Sequence, residues 1–423
     1  MKRFNRRSVL RMGASLGALG LPWFSRSIAE ATTIAHHARP ANRVLFLWLD
    51  GAPSTIDMWD MKPNAPSEVR GEFKPIATNV PGIQICEHMP RLSKCMDNCT
   101  IIRSMHHGVP EHGPGSQWML TGRSPSAATS YPAIGSLASR ILTPARQVPS
   151  YVAFGKSSEM KAGYLGSAYD AFEMEDGKQP VGLSLGEVTT SRFVRKEKLL
   201  QALDSTFDVT ESDRISKSMK AMRSDASDVL RSDLVRRMID ISESDIQSSA
   251  KDFGIQSAFG RNAYRACRLL EAGARFVSVG LSGWDTHVDN FSQLRTQLLP
   301  QLDMALAGSL DFLKSRGLLD ETIVCVAGEF GRTPSVNNGA GRDHWSRSFS
   351  VLVAGGGFAQ GACYGETDEA GNEPVQDACT PGDLYATMLQ LLGVDPVSTV
   401  DDITGRPMRI MDHGTVLSRA ILA

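Results

Sequence analysis

Six apolar runs punctuate the chain: RVLFLWLD (43–50), CTIIRSM (99–105), SYVAFG (150–155), ARFVSVGL (274–281), TIVCVAGEF (322–330) and FSVLVAGGG (349–357). Each is short, rich in β-branched or aromatic residues, and followed by Gly, His or a charged residue. Continuous rather than alternating hydrophobicity predicts strands covered on both faces. Between them the period changes. In 291–316, Phe291, Leu294, Leu298, Leu302, Leu306, Leu310 and Leu313 fall on one helical stripe, with a kink expected at Pro300. A second helix is expected over 382–393. Strand–helix alternation of this kind predicts an α/β fold with a largely parallel sheet under helices. Residues 189–261 break the pattern: Ser, Asp, Lys and Arg dominate and proline is absent, which predicts exposed helices inserted beside the sheet.

Composition narrows the class. A chain of 423 residues with 42% hydrophobic and 22% charged residues has ample material for a core. A net charge of −1 argues against nucleic acid as a partner. The cations are unevenly placed, however. Residues 1–31 hold Lys2, Arg3, Arg6, Arg7, Arg11 and Arg26 against the single acid Glu30. Within them, Asn5-Arg6-Arg7-Ser8-Val9-Leu10-Arg11 resembles a twin-arginine export signal. A mildly apolar run (12–24) follows, and then a small-residue cleavage site at Ala29 and Ala31. The run is too short to span a bilayer comfortably. The expectation is a signal peptide (1–31), a short linker (32–41) and one catalytic-sized domain (42–423). Its location would be the periplasm or beyond, reached through the twin-arginine machinery, with no stable membrane span after processing.

Seven cysteines occur, an odd number with no Cys-x-x-Cys. Cys95 and Cys99 form a loose pair that an oxidising compartment could bridge; scattered buried thiols are the plainer reading.

The residues with chemistry to offer sit where strands are expected to end. In open α/β sheets that edge is the binding edge. Asp50 closes the first run; Asp285 and His287 follow the fourth in GWDTH; Glu329 and Arg332 follow the fifth in GEFGRTP; Asp343 and His344 come in GRDHW. Carboxylates with neutral imidazoles suit zinc, manganese or a similar divalent ion. With His112 they make seven candidate ligands: Asp50, His112, Asp285, His287, Glu329, Asp343 and His344. Neighbouring glycines permit close backbone approach. Arg332 could grip a tetrahedral anion bidentately or simply form an ion pair. Ser54 and Thr55 are reserve nucleophiles, or else a turn or helix cap in APSTID.

The motifs FLWLDGAPSTIDMWDMKP, GWDTH, GEFGRTP, GRDHW and VAGGGFAQGACYGETDEAG resemble the DUF1501 family, over about residues 42–420. Their order is similar to that of the alkaline phosphatase/sulfatase superfamily. EHGPGSQWMLTGRSP (111–125) also resembles the sulfatase signature Cys/Ser-x-Pro-Ser-Arg-x-x-Leu-Leu-Thr-Gly-Arg. Pro114, Leu120, Thr121, Gly122 and Arg123 coincide with it, and His112 stands in the nucleophile's place. The resemblance implies an alkaline-phosphatase-like three-layer sandwich. It also implies one or two divalent ions (zinc, manganese or calcium). Asp285, His287 and His344 would hold one; Asp50 and Glu329, with a residue near His112, would hold the other. Histidine cannot become formylglycine, which excludes the sulfatases' own chemistry at this position. His112 is left as a ligand, a nucleophile or a general base. The expected activity is metal-dependent hydrolysis of a phosphate or sulfate ester, on a small molecule or a glycan. The alternative is a catalytically silent protein that binds an anionic glycan or envelope component.

Overall fold

The computed structural model describes residues 40–143, 147–155, 160–175, 188–206, 223–224 and 226–422. The expected twin-arginine signal and its expected cleavage site lie outside them. All six apolar runs are strands of one eight-stranded sheet. In chain order these are β1 (Arg43–Asp50), β2 (Cys99–Met105), β3 (Tyr151–Phe154), β4 (Phe172–Met174), β5 (Phe276–Ser282), β6 (Thr322–Ala327), β7 (Phe349–Ala354) and β8 (Ala362–Tyr364). The sheet order is β8-β2-β7-β6-β1-β5-β3-β4. The two short edge strands, β4 and β8, have no apolar run to announce them.

Seven strands run the same way; β7 alone is antiparallel to both its neighbours, β2 and β6. The expectation of a largely parallel sheet therefore holds with one exception, and the exception matters. Because β7 is reversed, its beginning lies at the edge where β1, β5 and β6 end. The residues before β7 reach the binding edge, as do the residues after the others.

Continuous hydrophobicity in the strands is explained by cover on both faces. Leu45, Leu47 and Leu49 join one buried cluster with helices α3 (Ala258–Glu271) and α4 (Leu299–Ser315). Val44, Phe46 and Trp48, alternating with them, join the opposite cluster with α2 (Ile134–Ile141) and α5 (Pro381–Leu391). The result is three layers. The stripe from Phe291 to Leu313 is buried throughout. At the expected kink the helix widens to a π-helical turn, Leu294–Leu298, before α4 continues. Pro300 has no N–H for the carbonyl four residues back, and the wider turn absorbs that loss.

Within 189–261 the described residues form helices at Thr190–Thr206, Leu234–Ile239 and Glu243–Gln247. Val235, Ile239 and Phe253 anchor this part to the α3 side of the core. All seven cysteines are free, Cys95 and Cys99 included, and six are buried. No described helix is long and apolar enough to cross a membrane.

Candidate metal centre

Four loops at the binding edge meet. After β5, Trp284 and Thr286 turn inward, 0% and 1% exposed, and their burial throws Asp285 and His287 outward. Trp284 N–H is tied to Asp50 O at the end of β1 (3.2 Å), and Thr286 Oγ1 donates to Asn290 (2.6 Å). His344 lies on a two-residue ladder, His344–Trp345 against Gly331–Arg332, just before the reversed β7. His112 opens helix α1 (His112–Thr121). The sulfatase-like phrase is the far end of this helix. Leu120 packs in the core, Gly122 stops the helix in the left-handed region at φ 69°, and buried Arg123 pairs with Asp412. Sequence and fold thus use the phrase to aim the helix that presents His112.

Glycine is required at two crossings. A Cβ on Gly51, whose φ is +111°, would sit 2.6 Å from Asp285 N. One on Gly341 would sit 1.9 Å from His287 O. Both loops carrying candidate ligands are therefore held at backbone contact.

Three imidazoles are wired alike. His112 Nδ1–H donates to Glu329 Oε1 (2.7 Å), His287 Nδ1–H to Asp343 Oδ1 (2.8 Å) and His344 Nδ1–H to Pro110 O (2.9 Å). Each acceptor is a carboxylate or carbonyl oxygen, which can only accept. In the neutral ring the proton is therefore on Nδ1, and Nε2 keeps its lone pair. The three Nε2 atoms surround one oxygen, Asp285 Oδ1, at 3.4 Å (His112), 3.1 Å (His287) and 3.3 Å (His344). His287 Nε2 and His344 Nε2 are 3.0 Å apart. His112 Nε2 is buried and has no hydrogen-bond partner.

Facing lone pairs beside a carboxylate repel unless a cation lies among them. The spacing fits one. A metal–nitrogen bond of about 2.0–2.1 Å puts tetrahedral ligands about 3.3–3.4 Å apart. His112, Asp285 and His344 each offer an atom, all within 4.8 Å of one another, and His287 adds a fourth from beside His344 and Asp285. The side chains are 24–48% exposed, so the group is open to a solute.

The same contacts shape the electrostatics of the group. Burial pushes the Asp285 carboxyl up, but the Arg332 hydrogen bond and charge, with His344 and His112, bring it down to about 2. The Glu329 hydrogen bond raises His112 above the usual imidazole range, against burial. The bond from His287 lowers Asp343.

Residues 41–421 match the model of a family described as Protein of unknown function (DUF1501). The chain belongs to the DUF1501 family. No curated protein matches it. Among solved structures it is similar to an alkaline phosphatase from the Antarctic bacterium TAB5, at 12% identity over 84% of this chain and 99% of that one, TM-score 0.39. It is also similar to a 2-O GAG sulfatase, at 13% identity over 90% and 74%, TM-score 0.38. A third is an alkaline phosphatase superfamily protein from Vibrio parahaemolyticus, at 13% identity over 84% and 67%, TM-score 0.39.

The other candidate residues of this DUF1501 member stand apart from the four convergent side chains. Glu329 is 1% exposed and lies behind His112, also accepting Gly51 N–H at 3.0 Å. Asp343 lies behind His287. Asp50 accepts from Trp48 Nε1 (3.4 Å) and Ser282 Oγ (3.2 Å). Ser54 is fully buried and donates to Asp57 Oδ2 (2.7 Å); buried Thr55 accepts Ser350 N–H. Arg332 does not face solvent as an anion grip would. Its side chain is 0% exposed and donates to Asp285 Oδ1 and to backbone carbonyls. Arg342, next to Asp343 in the chain, is buried on Asp57.

Sequence reasoning passed over three contributors. His107 is buried; it donates to Glu329 O (2.6 Å) and stacks on Trp118. Asn337 bridges His287 O (2.9 Å) and Asp343 Oδ1 (3.2 Å). The Pro110 carbonyl fixes His344. Of the three, only His107 is of a residue type that a sequence can single out; a carbonyl's role leaves no mark there.

Proposed function

We propose that this chain is an exported, metal-dependent hydrolase of phosphate or sulfate esters. The observation that carries the reading is the convergence of three Nε2 lone pairs on Asp285 Oδ1, with every Nδ1 proton already committed elsewhere. His112, Asp285 and His344, with His287 beside them, would hold a divalent ion. Such an ion supplies a Lewis acid and a water of lowered pKa. The chain's own work is orientation: Glu329, Asp343 and Pro110 fix three rings, and Arg332 keeps Asp285 ionised. Orienting partners of this kind typically matter 10–100-fold in affinity or activity. Water suits the role of nucleophile, because Ser54 is spent on Asp57. A metal ligand's part suits His112 better than a nucleophile's, because its Nε2 belongs to the convergent group. Export rests on the arginine-pair motif, and the ester class on the motif order.

One observation favours the silent reading, a protein that binds an anionic glycan without cleaving it. Arg332, the guanidinium best placed in sequence to grip a tetrahedral anion, is buried on carbonyl oxygens. Metal analysis of natively exported protein, followed by chromogenic phosphate and sulfate esters, separates the readings. Bound metal with turnover supports the hydrolase. Bound metal without turnover of any ester supports silent binding, and protein that takes up no zinc, manganese or calcium sinks the metal centre. His112→Ser should lower metal occupancy and leave only slow hydrolysis. Loss of turnover at full occupancy, with an acid-labile phosphohistidine in the wild type, would make His112 the nucleophile instead.

A further inference from the structure

We propose that the centre holds a single divalent ion, the buried Arg332 guanidinium standing where a second cation would be needed. The inference rests on the metal reading above and adds its count. Two ions about 3.5–4 Å apart need two ligand sets that share a bridge. Seven candidate side chains would suffice in number; the structure divides them by what each already touches.

Four turn atoms toward one another: Nε2 of His112, His287 and His344, and Asp285 Oδ1, which also accepts from Arg332. Each of the remaining three carboxylates already accepts hydrogen bonds of its own. Glu329 is 1% exposed; its Oε1 accepts His112 Nδ1–H at 2.7 Å and Gly51 N–H at 3.0 Å, and its Oε2 is 3.3 Å from the same Gly51 N. To ligate an ion it would have to abandon a buried backbone N–H and the proton that sets the His112 tautomer. Asp343 accepts from His287 Nδ1 and Asn337. Asp50 accepts from Trp48 and Ser282.

Arg332 explains what neutralises the second half. Its guanidinium takes Asp285 Oδ1 (2.5 Å), Ala52 O (2.8 Å), Arg342 O (3.2 Å), Trp284 O (3.3 Å) and Gly51 O. Four carbonyl oxygens and a carboxylate oxygen turned to one place are the donor set of a hard cation. Here a covalent cation fills the cage, with no exposed surface and no means of dissociating or losing its proton. It binds the same Asp285 oxygen that the imidazoles surround. A second ion would have to share that oxygen with a fixed like charge.

The test counts ions rather than turnover. The full-length protein, stripped with chelator, is titrated with zinc or manganese alone. Bound metal is measured by mass spectrometry after desalting. About one ion per chain is expected, and the manganese form should give the uncoupled spectrum of an isolated ion in electron paramagnetic resonance. About two ions, or an exchange-coupled manganese pair, overturns the count and leaves the metal reading standing. No bound ion overturns both. Glu329→Gln gives a second discrimination, since the amide oxygen can still accept His112 Nδ1–H. The stoichiometry should stay at about one while affinity falls roughly 10–100-fold, as expected of an orienting partner. A fall from two ions to one in Glu329→Gln would make Glu329 a ligand and refute the assignment of Arg332.

Discussion

Breaking the Asp57–Arg342 pair should destabilise the apoprotein strongly and loosen His344 as well. The two side chains are 1% and 0% exposed. Arg342 Nε and Nη2 grip both Asp57 oxygens at 2.8 and 2.7 Å, and its other bonds run to Val69 O, Thr333 O and Pro334 O. Asp57 Oδ2 also accepts Ser54 Oγ (2.7 Å) and Asn290 Nδ2 (2.9 Å). Asp57→Ala leaves a buried guanidinium without its counter-charge, a change that costs about 3–5 kcal/mol. Two further donors lose their acceptor, at about 1 kcal/mol each. Arg342→Met should cost a similar amount: Ser54 and Asn290 still donate to the carboxylate, but the charge is buried and unpaired, and Val69 O, Thr333 O and Pro334 O lose their donor. The double variant should cost less than the sum, since neither charge is then orphaned. Urea unfolding of metal-free protein measures all three. Arg342 immediately precedes Asp343 and His344, so Asp57→Ala should also weaken zinc binding. Single variants within about 1 kcal/mol of wild type, or strict additivity, would refute this account of the pair.

Two further outcomes are expected. Gly51→Ala and Gly341→Ala should each cost about 1–3 kcal/mol through overpacking and lower metal occupancy, because the new Cβ would displace Asp285 N or His287 O; unfolding curves and metal content that match wild type would show the crossings to be slack. Arg6-Arg7→Lys-Lys should strand the protein in the cytoplasm, since paired arginines are the receptor-read part of such a signal; normal export in fractionated cells would remove the twin-arginine reading.

What the sequence made legible was whatever depends on local pattern. The six apolar runs are strands because burial on both faces demands unbroken hydrophobicity, and that demand is visible residue by residue. The three-residue strands β4 and β8 escaped because edge strands bury too little to need such a run. The direction of β7 escaped for another reason: an apolar strand reads the same either way along the sheet. Yet that direction brings His344 to the edge where β5 delivers Asp285.

The same limit separates the two kinds of carboxylate at the site. Asp285 and Glu329 are both acids just past a strand end, and nothing in GWDTH or GEFGRTP ranks one above the other as a ligand. Depth ranks them. Asp285 is 48% exposed with an oxygen among three lone pairs, whereas Glu329 is 1% exposed with a ring proton and a backbone N–H already on it. A buried carboxylate carrying donors orients a ligand; a partly exposed one facing lone pairs is itself a ligand. Which acid is which depends on the crossing of β1 with the turn after β5, where Gly51 offers Glu329 its N–H and Arg332 its carbonyl. Residues about 280 positions apart settle the matter together, and no motif that short carries the information.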